Sequence, residues 1–445
     1  MPAAEEQEKV VRKARELGIK FVQMQFMDIL GTVKNVTVPV ERLERALSEG
    51  VFFDGSSVLG YATVEESDMR LMPDPRTFTV LPWTQRNLRT ACMVCDVYDH
   101  RNNRFEGDPR YALQRMCEKA RKKGYVFNTA PEYEFFLLQT DERGRPLPQP
   151  SDFGGYFDLM RDRGDEVRKE IVGYLTEMGF EVEASHHEVS PGQHEIDLRY
   201  AEALTSADRV MMMKYTTKLV AQRHGLFASF MPKPFYGVNG SGMHTHMSLM
   251  SPDGTKNFFY DPEGKYQLSE LALCFIGGLL KYAKEMCAIL ASSVNSYKRL
   301  VPGYEAPVYI SWANRNRSAY IRVPSGRELR TRIELRSPDP AGNPYLQFCV
   351  MLAAGLKGIE EKAYPPEPVE RNIFRMTPEE RRELQIEPLP SSLGEALEYM
   401  EKSKLVREAI GDHLFEHFLY IKGQEWENYR SQVTDWELQN LLPIL

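Results

Sequence analysis

Cysteine is sparse in this chain, with six scattered through 445 residues and a single CxxC, Cys92 and Cys95, inside the strand-like RTACMVCDVYD. Three residues apart on a strand, these two face opposite sides. No second CxxC exists to complete a zinc site. The thiols are therefore expected to be reduced and structural, which suits a cytoplasmic protein. Basic blocks are missing too. The net charge of −7 and pI near 5.9 argue against a nucleic-acid-binding surface. No long uncharged apolar run is present. The most apolar stretch, LSELALCFIGGLLKYAKEMCAILASSV, is interrupted by Glu270, Lys281, Lys284 and Glu285 and reads as buried helix rather than a membrane span. The N-terminus, MPAAEEQEKVVRKARELG, is charged and helix-like, without the apolar core of a signal peptide. Neither GxxxxGK[ST] nor GxGxxG occurs, so any nucleotide would bind outside a P-loop or Rossmann frame. Internal repeats and low-complexity tracts are absent.

What is there is ordinary in bulk, 42% hydrophobic and 27% charged, and too long for one small core. Residues 5–17 read as an amphipathic helix stopped by Gly18. The strand KFVQMQFMD, a turn at Gly31 and the strand TVKNVTVPV follow. ERLERALSEG is a short helix with Gly50 at its C-terminal cap, and RTFTVLP and RTACMVCDVYD read as two further strands. Strand–strand–helix–strand–strand in about a hundred residues is the pattern of a small α+β domain. A polar, turn-rich HRNNRFEGD marks its end and gives domains 1–103 and 104–445. Next, Asp108 caps a helix with Pro109 at its first position, ended by Gly124. Strands then alternate with long helices, including 161–178, 206–224 and 268–293, to about residue 340.

The strands carry the oddities. In NTAPEYEFFLL, Glu132 and Glu134 point to one strand face about 6–7 Å apart. In FEVEASHHEVSPGQHEIDLRY, Glu188 and Glu195 flank a Ser-Pro-Gly turn, so a hairpin brings both to one end of a sheet. In VNGSGMHTHMSLM, His244 and His246 share a face, and the preceding glycines let a ligand approach the backbone. In RTRIELRSPDP, Glu334 lies between Arg332 and Arg336 on one face. Any one of these alone reads as an exposed strand face or a satisfied His pair. Together they would place five carboxylates in one region at a cost of several kcal/mol each. Divalent cations resolve that, and oxygen-rich ligands with few imidazoles point to Mg²⁺ or Mn²⁺ rather than structural zinc.

Eight arginines fall between Arg299 and Arg336, several alternating with Ile, Val, Tyr and Leu. Guanidinium forks match phosphate or carboxylate. Metal-binding acids beside arginines describe a phosphoryl-transfer site, where catalysis is positioning and charge neutralisation. One decoy is set aside. HLFEH at 413–417 matches an inverse zinc-protease pattern but lies in an aromatic helix with no third ligand following, so it is assigned to packing.

With these segments assembled, the chain resembles the class I glutamine synthetases over nearly its whole length. The resemblance is carried by FDGSS, PEYEFFL, HHEVSPGQHEI, NGSGMHTHMSL, KRLVPGYEAPV, NRNRSAYIRVP and RIELRSPDPAGNPYL, in that order. It implies an α+β fold with a small N-terminal β-grasp-like domain and a catalytic domain built on a mostly antiparallel, curved half-barrel sheet. It implies ATP-dependent ligation of ammonia to L-glutamate through γ-glutamyl phosphate, with two divalent cations. Carried over by position, Glu134, Glu188 and Glu195 hold one ion, and Glu132, His244 and Glu334 the other. Glu183, Tyr200, His246, Ser248, Arg317 and Arg322 serve ATP, with Tyr200 on adenine. Asn239, Gly240, Arg299, Glu305, Arg317 and Arg336 serve glutamate. Asp54 binds and helps deprotonate ammonium, Arg317 neutralises the transferring phosphate, and Glu305 closes over the intermediate. Asp54 would come from a neighbouring subunit in a homododecamer of two stacked hexameric rings. Nucleic acid and membrane are not expected partners.

Phe374, in RNIFRMTPEERRE, stands where one subtype carries an adenylylated tyrosine, so the chain resembles the shorter alpha subtype. Ala62 stands where some relatives carry Arg, which argues against glutamine feedback by the alpha-type route. The alternative within the superfamily is a γ-glutamyl-amine or polyamine ligase. Asp54 argues against it, because a carboxylate there suits a small cation and crowds a substituted amine.

Overall fold

The computed structural model describes residues 2–61 and 67–445; Ala62 lies outside them. An N-terminal sheet is built from β1 (Phe21–Met27), β2 (Val33–Pro39), β3 (Val51–Asp54), β4 (Asp68–Pro73), β5 (Thr79–Val80) and β6 (Thr90–Tyr98). Their order is β2-β1-β6-β4-β3, with β5 also on β6. β1 and β6 run parallel at the centre and the other pairs are antiparallel. Two of these strands, β3 and β4, are additions to the pattern expected from sequence. Conversely, most of RTFTVLP is not strand. Asp74 accepts from the Arg76 N–H and Pro75 starts a single 3₁₀ turn, leaving only Thr79 and Val80 to pair. Helices Pro2–Glu16 and Leu43–Glu49 contribute Val10, Ala14, Leu43, Ala46 and Leu47 to a separate core under this sheet. Cys95 lies in that core while Cys92 packs on Leu81 and Met212, so the two thiols do occupy opposite faces. All six cysteines are free and buried.

The second sheet is larger. It comprises β7 (Val126–Thr140), β8 (Pro146–Pro150), β9 (Val182–His187), β10 (Gln193–Leu198), β11 (Ala201–Glu202), β12 (Leu226–Ser229), β13 (Thr245–Met250), β14 (Trp312–Ala313), β15 (Ile321–Arg322) and β16 (Ile333–Leu335). The main path is β14-β15-β16-β13-β7-β10-β9, antiparallel except at β14–β15. β7 is its spine. Residues 126–131 pair with β13 and residues 132–136 with β10, so the strand changes partner between Pro131 and Glu132.

Helices cover this sheet. The expected 268–293 helix is two, Glu270–Lys281 and Ala283–Leu290, with Tyr282 between them outside helical geometry (φ −98°, ψ 13°). The first packs on helix Pro344–Glu361 at glycine contacts. A Cβ on Gly278 would collide with the Ala354 carbonyl, and one on Gly358 with that of Cys274. No helix among the described residues is long and apolar enough to cross a membrane.

A buried guanidinium links the N-terminal sheet to the catalytic part. Arg110 pairs with Asp74 (3.0 Å) and Asp96 (2.5 Å) on the N-terminal side and Asp208 (2.9 Å) on the helical side. Three acids and several hydrogen bonds compensate its desolvation. HLFEH plays its packing part nearby. His413 donates to the Gly60 carbonyl (2.8 Å) and stacks on His417 with ring centroids 4.3 Å apart.

Candidate active site

Strand register assembles the acids in two rows that meet on β7. Across β9, β10 and β7, His186 faces Glu195, and Glu195 faces Glu134. Two glutamates directly opposite each other repel. The β9–β10 hairpin that sets His186 opposite Glu195 turns at Gly192, whose φ of +67° a side chain would resist. Glu188 follows β9, 3.8 Å from His186 Nδ1, while His186 Nε2 lies 3.4 Å from Glu195. The donor atoms of His186, Glu188 and Glu195 all fall within 4.8 Å of one another.

In the second row, His246 on β13 faces Glu334 on β16, which faces Arg322 on β15. Glu132 accepts hydrogen bonds from His246 Nε2 (2.7 Å) and His244 Nδ1 (3.0 Å). Glu132, His246 and Glu334 form a second set within 4.8 Å. His244 stands between the rows, its Nδ1 3.9 Å from both Glu134 and Glu334. Thus His246, assigned by resemblance to the nucleotide, lies among the second acids. His186, not singled out in the sequence, lies among the first. Its signal was the spacing to Glu188, i and i+2 along the incoming strand.

Protonation follows this crowding. Burial and then Glu188 push Glu134 up to about 8, and burial, Glu134 and Asp197 push Glu195 up to about 12. Burial also raises Glu188. For Glu132 and Glu334 burial acts the same way but is outweighed. Hydrogen bonds from His244 and His246 hold Glu132 well below the ordinary range, and Arg336 and His246 lower Glu334. Burial and Arg336 bring His244 down to about 4, leaving it a neutral imidazole. Acids that retain protons for want of positive charge, beside a neutral imidazole, fit divalent cations bound mainly through oxygen.

Glu132, Glu134, Glu188, Glu195 and His244 line a cavity of about 120 Å³ with Tyr156, Gln193, Asn239, Gly240, Arg299, Tyr304, Glu305, Arg317, Arg322 and Arg336, while Glu334, His246 and His186 lie behind its wall. Four of the eight clustered arginines reach it. Arg336 and Arg322 both pair with Glu334, the first at 2.6 Å. Arg299 is buried and donates to the carbonyls of Ser337 (3.0 Å) and Arg336 (3.1 Å). Arg317 is exposed at the rim beside Tyr156. Arg327 instead ties its own turn, donating to the carbonyls of Tyr266 and Pro324. Gln193 donates to both Glu134 (2.8 Å) and the Gly240 carbonyl (3.1 Å), a link the sequence did not flag.

Three further candidates lie outside the cavity wall. Glu183 is exposed on β9, Tyr200 is exposed beside Arg199, and Ser248 sits on β13 opposite Asn128. Glu305 takes a left-handed backbone (φ +55°) and meets Asn239 at 3.4 Å. Asp54 accepts from Ser56 (2.6 Å) and Ser57 (2.6 Å), bonds that lower its pKa, and it is not part of this cavity's wall.

Comparison with known proteins covers the chain almost end to end. The family model described as glutamine synthetase, beta-Grasp domain matches residues 18–100, and that described as glutamine synthetase, catalytic domain matches residues 106–441. The chain is 50% identical over 436 residues to a glutamine synthetase of Clostridium saccharobutylicum, spanning 98% of each chain. It is 50% identical over 436 residues to one of Thermotoga maritima, spanning 98% of this chain and 99% of that one. Among solved structures, GmaS in complex with ADP superposes with a TM-score of 0.88 at 34% identity, covering 98% of this chain and 99% of its own. Ligand-free GmaS gives 0.87 at 34% identity, covering 97% and 99%.

Proposed function

The chain belongs to the glutamine synthetase family, and from that premise we propose how its residues divide the labour of a glutamate–ammonia ligase. The reaction draws on ATP and divalent metals, and the finer reading is that it passes through γ-glutamyl phosphate with two Mg²⁺ or Mn²⁺ ions per site. Glu134, Glu188 and Glu195 hold one ion; Glu132, His244 and Glu334 hold the other. The observation that supports this is the pair of acid–imidazole sets, His186–Glu188–Glu195 and Glu132–His246–Glu334, with Glu134 opposite Glu195 and His244 Nδ1 3.9 Å from both Glu134 and Glu334. When bound, the cations supply charge neutralisation at the phosphoryl oxygens.

The chain's own residues do the rest. Glu183, Tyr200, His246, Ser248 and Arg322 orient ATP, and Asn239, Gly240, Arg299 and Arg336 orient glutamate. Arg317 at the rim approaches the γ-phosphate as the side-chain carboxylate attacks it, balancing charge that grows in the transition state. Glu305 closes over the acyl phosphate, excludes water and takes part in proton transfer. Asp54 binds ammonium and helps remove its proton, reaching the site from a neighbouring subunit of a dodecamer of two stacked hexameric rings. The domain boundary is proposed at 103/104 and the compartment as cytoplasmic.

The test is to measure ADP, phosphate and glutamine with ammonium, methylamine and putrescine in turn. Glutamate-dependent ADP formation with ammonium preferred is the expected result. Preference for a substituted amine, or ADP release without glutamate, would overturn the reading.

A further inference from the structure

One buried cation beside the site has no acidic partner among the described residues. Lys233 is 7% exposed, and its ammonium donates to the Val238 carbonyl. Its other neighbour is an aromatic face, the Tyr304 ring, whose centroid lies 3.6 Å from Nζ. The backbone beneath it is fixed. The Lys233 N–H donates to Asn295 Oδ1 (2.7 Å), and Asn295 Nδ2 donates to the Lys233 carbonyl (3.0 Å). The Val238–Ser241 run lies flat on this support. Ser241 N–H donates to the Pro232 carbonyl (2.8 Å), and a Cβ on Gly240 would collide with that same carbonyl.

Tyr304 immediately precedes Glu305. The two follow Gly303, itself at φ +96°, so unusual backbone conformations stand on both sides of Tyr304, and Tyr304 and Glu305 both line the cavity. This segment touches the opposite wall at two points in tandem: Tyr304 on Lys233, and Glu305 on Asn239 at 3.4 Å. Lys233 is in turn bonded to Val238, the residue before Asn239. One ammonium therefore connects the lid to the wall segment that receives glutamate.

We propose that Lys233 is a positioning residue, the seat on which Tyr304 rests so that Glu305 is held in register over the activated acyl group until ammonia arrives. The proposal rests on the reading of Glu305 as a lid. Physically, a desolvated ammonium with only one carbonyl keeps unmet demand for negative potential. The ring face supplies it when the segment is down, and opening removes it. A neutral residue of the same length would fill the space without that preference.

The test uses the full chain and two readouts. With glutamate, ATP and limiting ammonium, Lys233→Met and Tyr304→Leu should each raise the excess of ADP over glutamine on the order of tenfold. Both should also raise the KM for ammonium more than they lower kcat. The double variant should be no worse than either single one. Lys233→Arg, which returns a cation able to stack, should recover coupling. Independently of catalysis, amide exchange across residues 301–306 should quicken in Lys233→Met without substrates. Unchanged exchange, or a uniform loss of kcat at parental coupling, would overturn the proposal. A parent enzyme that forms no glutamine while exchange still responds would remove the functional reading and leave the seat standing.

Discussion

Glu195 and Glu134 face each other across two hydrogen-bonded strands, and the protein tolerates this by keeping protons there. Their pKa values stand above those of an unfolded chain, so between about pH 4.5 and 8 the folded protein binds more protons than the unfolded one. Ion-free stability contributed by this pair therefore falls as pH rises through that window. Cation binding must release the protons, so affinity climbs with pH. The rise in melting temperature caused by saturating Mn²⁺ should be larger at pH 8 than at pH 6, and calorimetry in buffers of different ionisation enthalpy should show proton release. A pH-independent shift would contradict the assignment. Glu334→Ala should lower activity about a hundredfold or more, the upper range for damaged metal sites. Mn²⁺ titration should lose one binding event and keep the other. At this scale much was legible from spacing, because i, i+2 acids on a strand must share a face. What was not legible is who neutralises whom. That Arg336 and Arg322 both converge on Glu334 depends on strands drawn together from distant sequence, as does the seating of Lys233 under Tyr304.

Among the elements, the β9–β10 hairpin bears the first acid set, and its turn allows little substitution. Gly192 has a positive φ, and a Cβ there would stand 2.8 Å from the Leu137 carbonyl. Gly192→Ala should cost about 1–3 kcal/mol of stability, measured by urea unfolding, and weaken Mn²⁺ binding in the same variant. Parental Mn²⁺ affinity would show that the hairpin end tolerates the shift. The hairpin was readable beforehand from Ser190-Pro191-Gly192 between two alternating strands. The short strands β3 and β4 were not, since four and six residues are too few to declare a period in the sequence, although β4 buries Met69, Leu71 and Pro73 in alternation, and their pairing is supplied by β6 and by each other. The break at Tyr282 was likewise hidden, because no Gly or Pro stands at that point in the apolar run to signal it.

For the whole molecule, the decisive fact is that Asp54 is not in the cavity wall of its own chain. If each site borrows it from a neighbour, two inactive variants can repair one another. Co-assembled Asp54→Ala and Glu334→Ala chains should recover about a quarter of parental activity, the fraction of junctions with both residues intact under random mixing in a ring. No recovery would place the whole site in one subunit. The outline of the fold was legible because local patterns carried it. Assembly was not, since no composition or period encodes a ring.

A last consequence follows from β7. Because Glu132 and Glu134 ride on one uninterrupted strand, the gauge between the two proposed ion positions is the pleat of a polypeptide, not the length of any loop. Insertions elsewhere can reshape what enters the cavity, yet they leave that gauge untouched. An insertion of one residue at Tyr133 would turn one carboxylate to the far side of the sheet and dismantle the ion position that carboxylate serves.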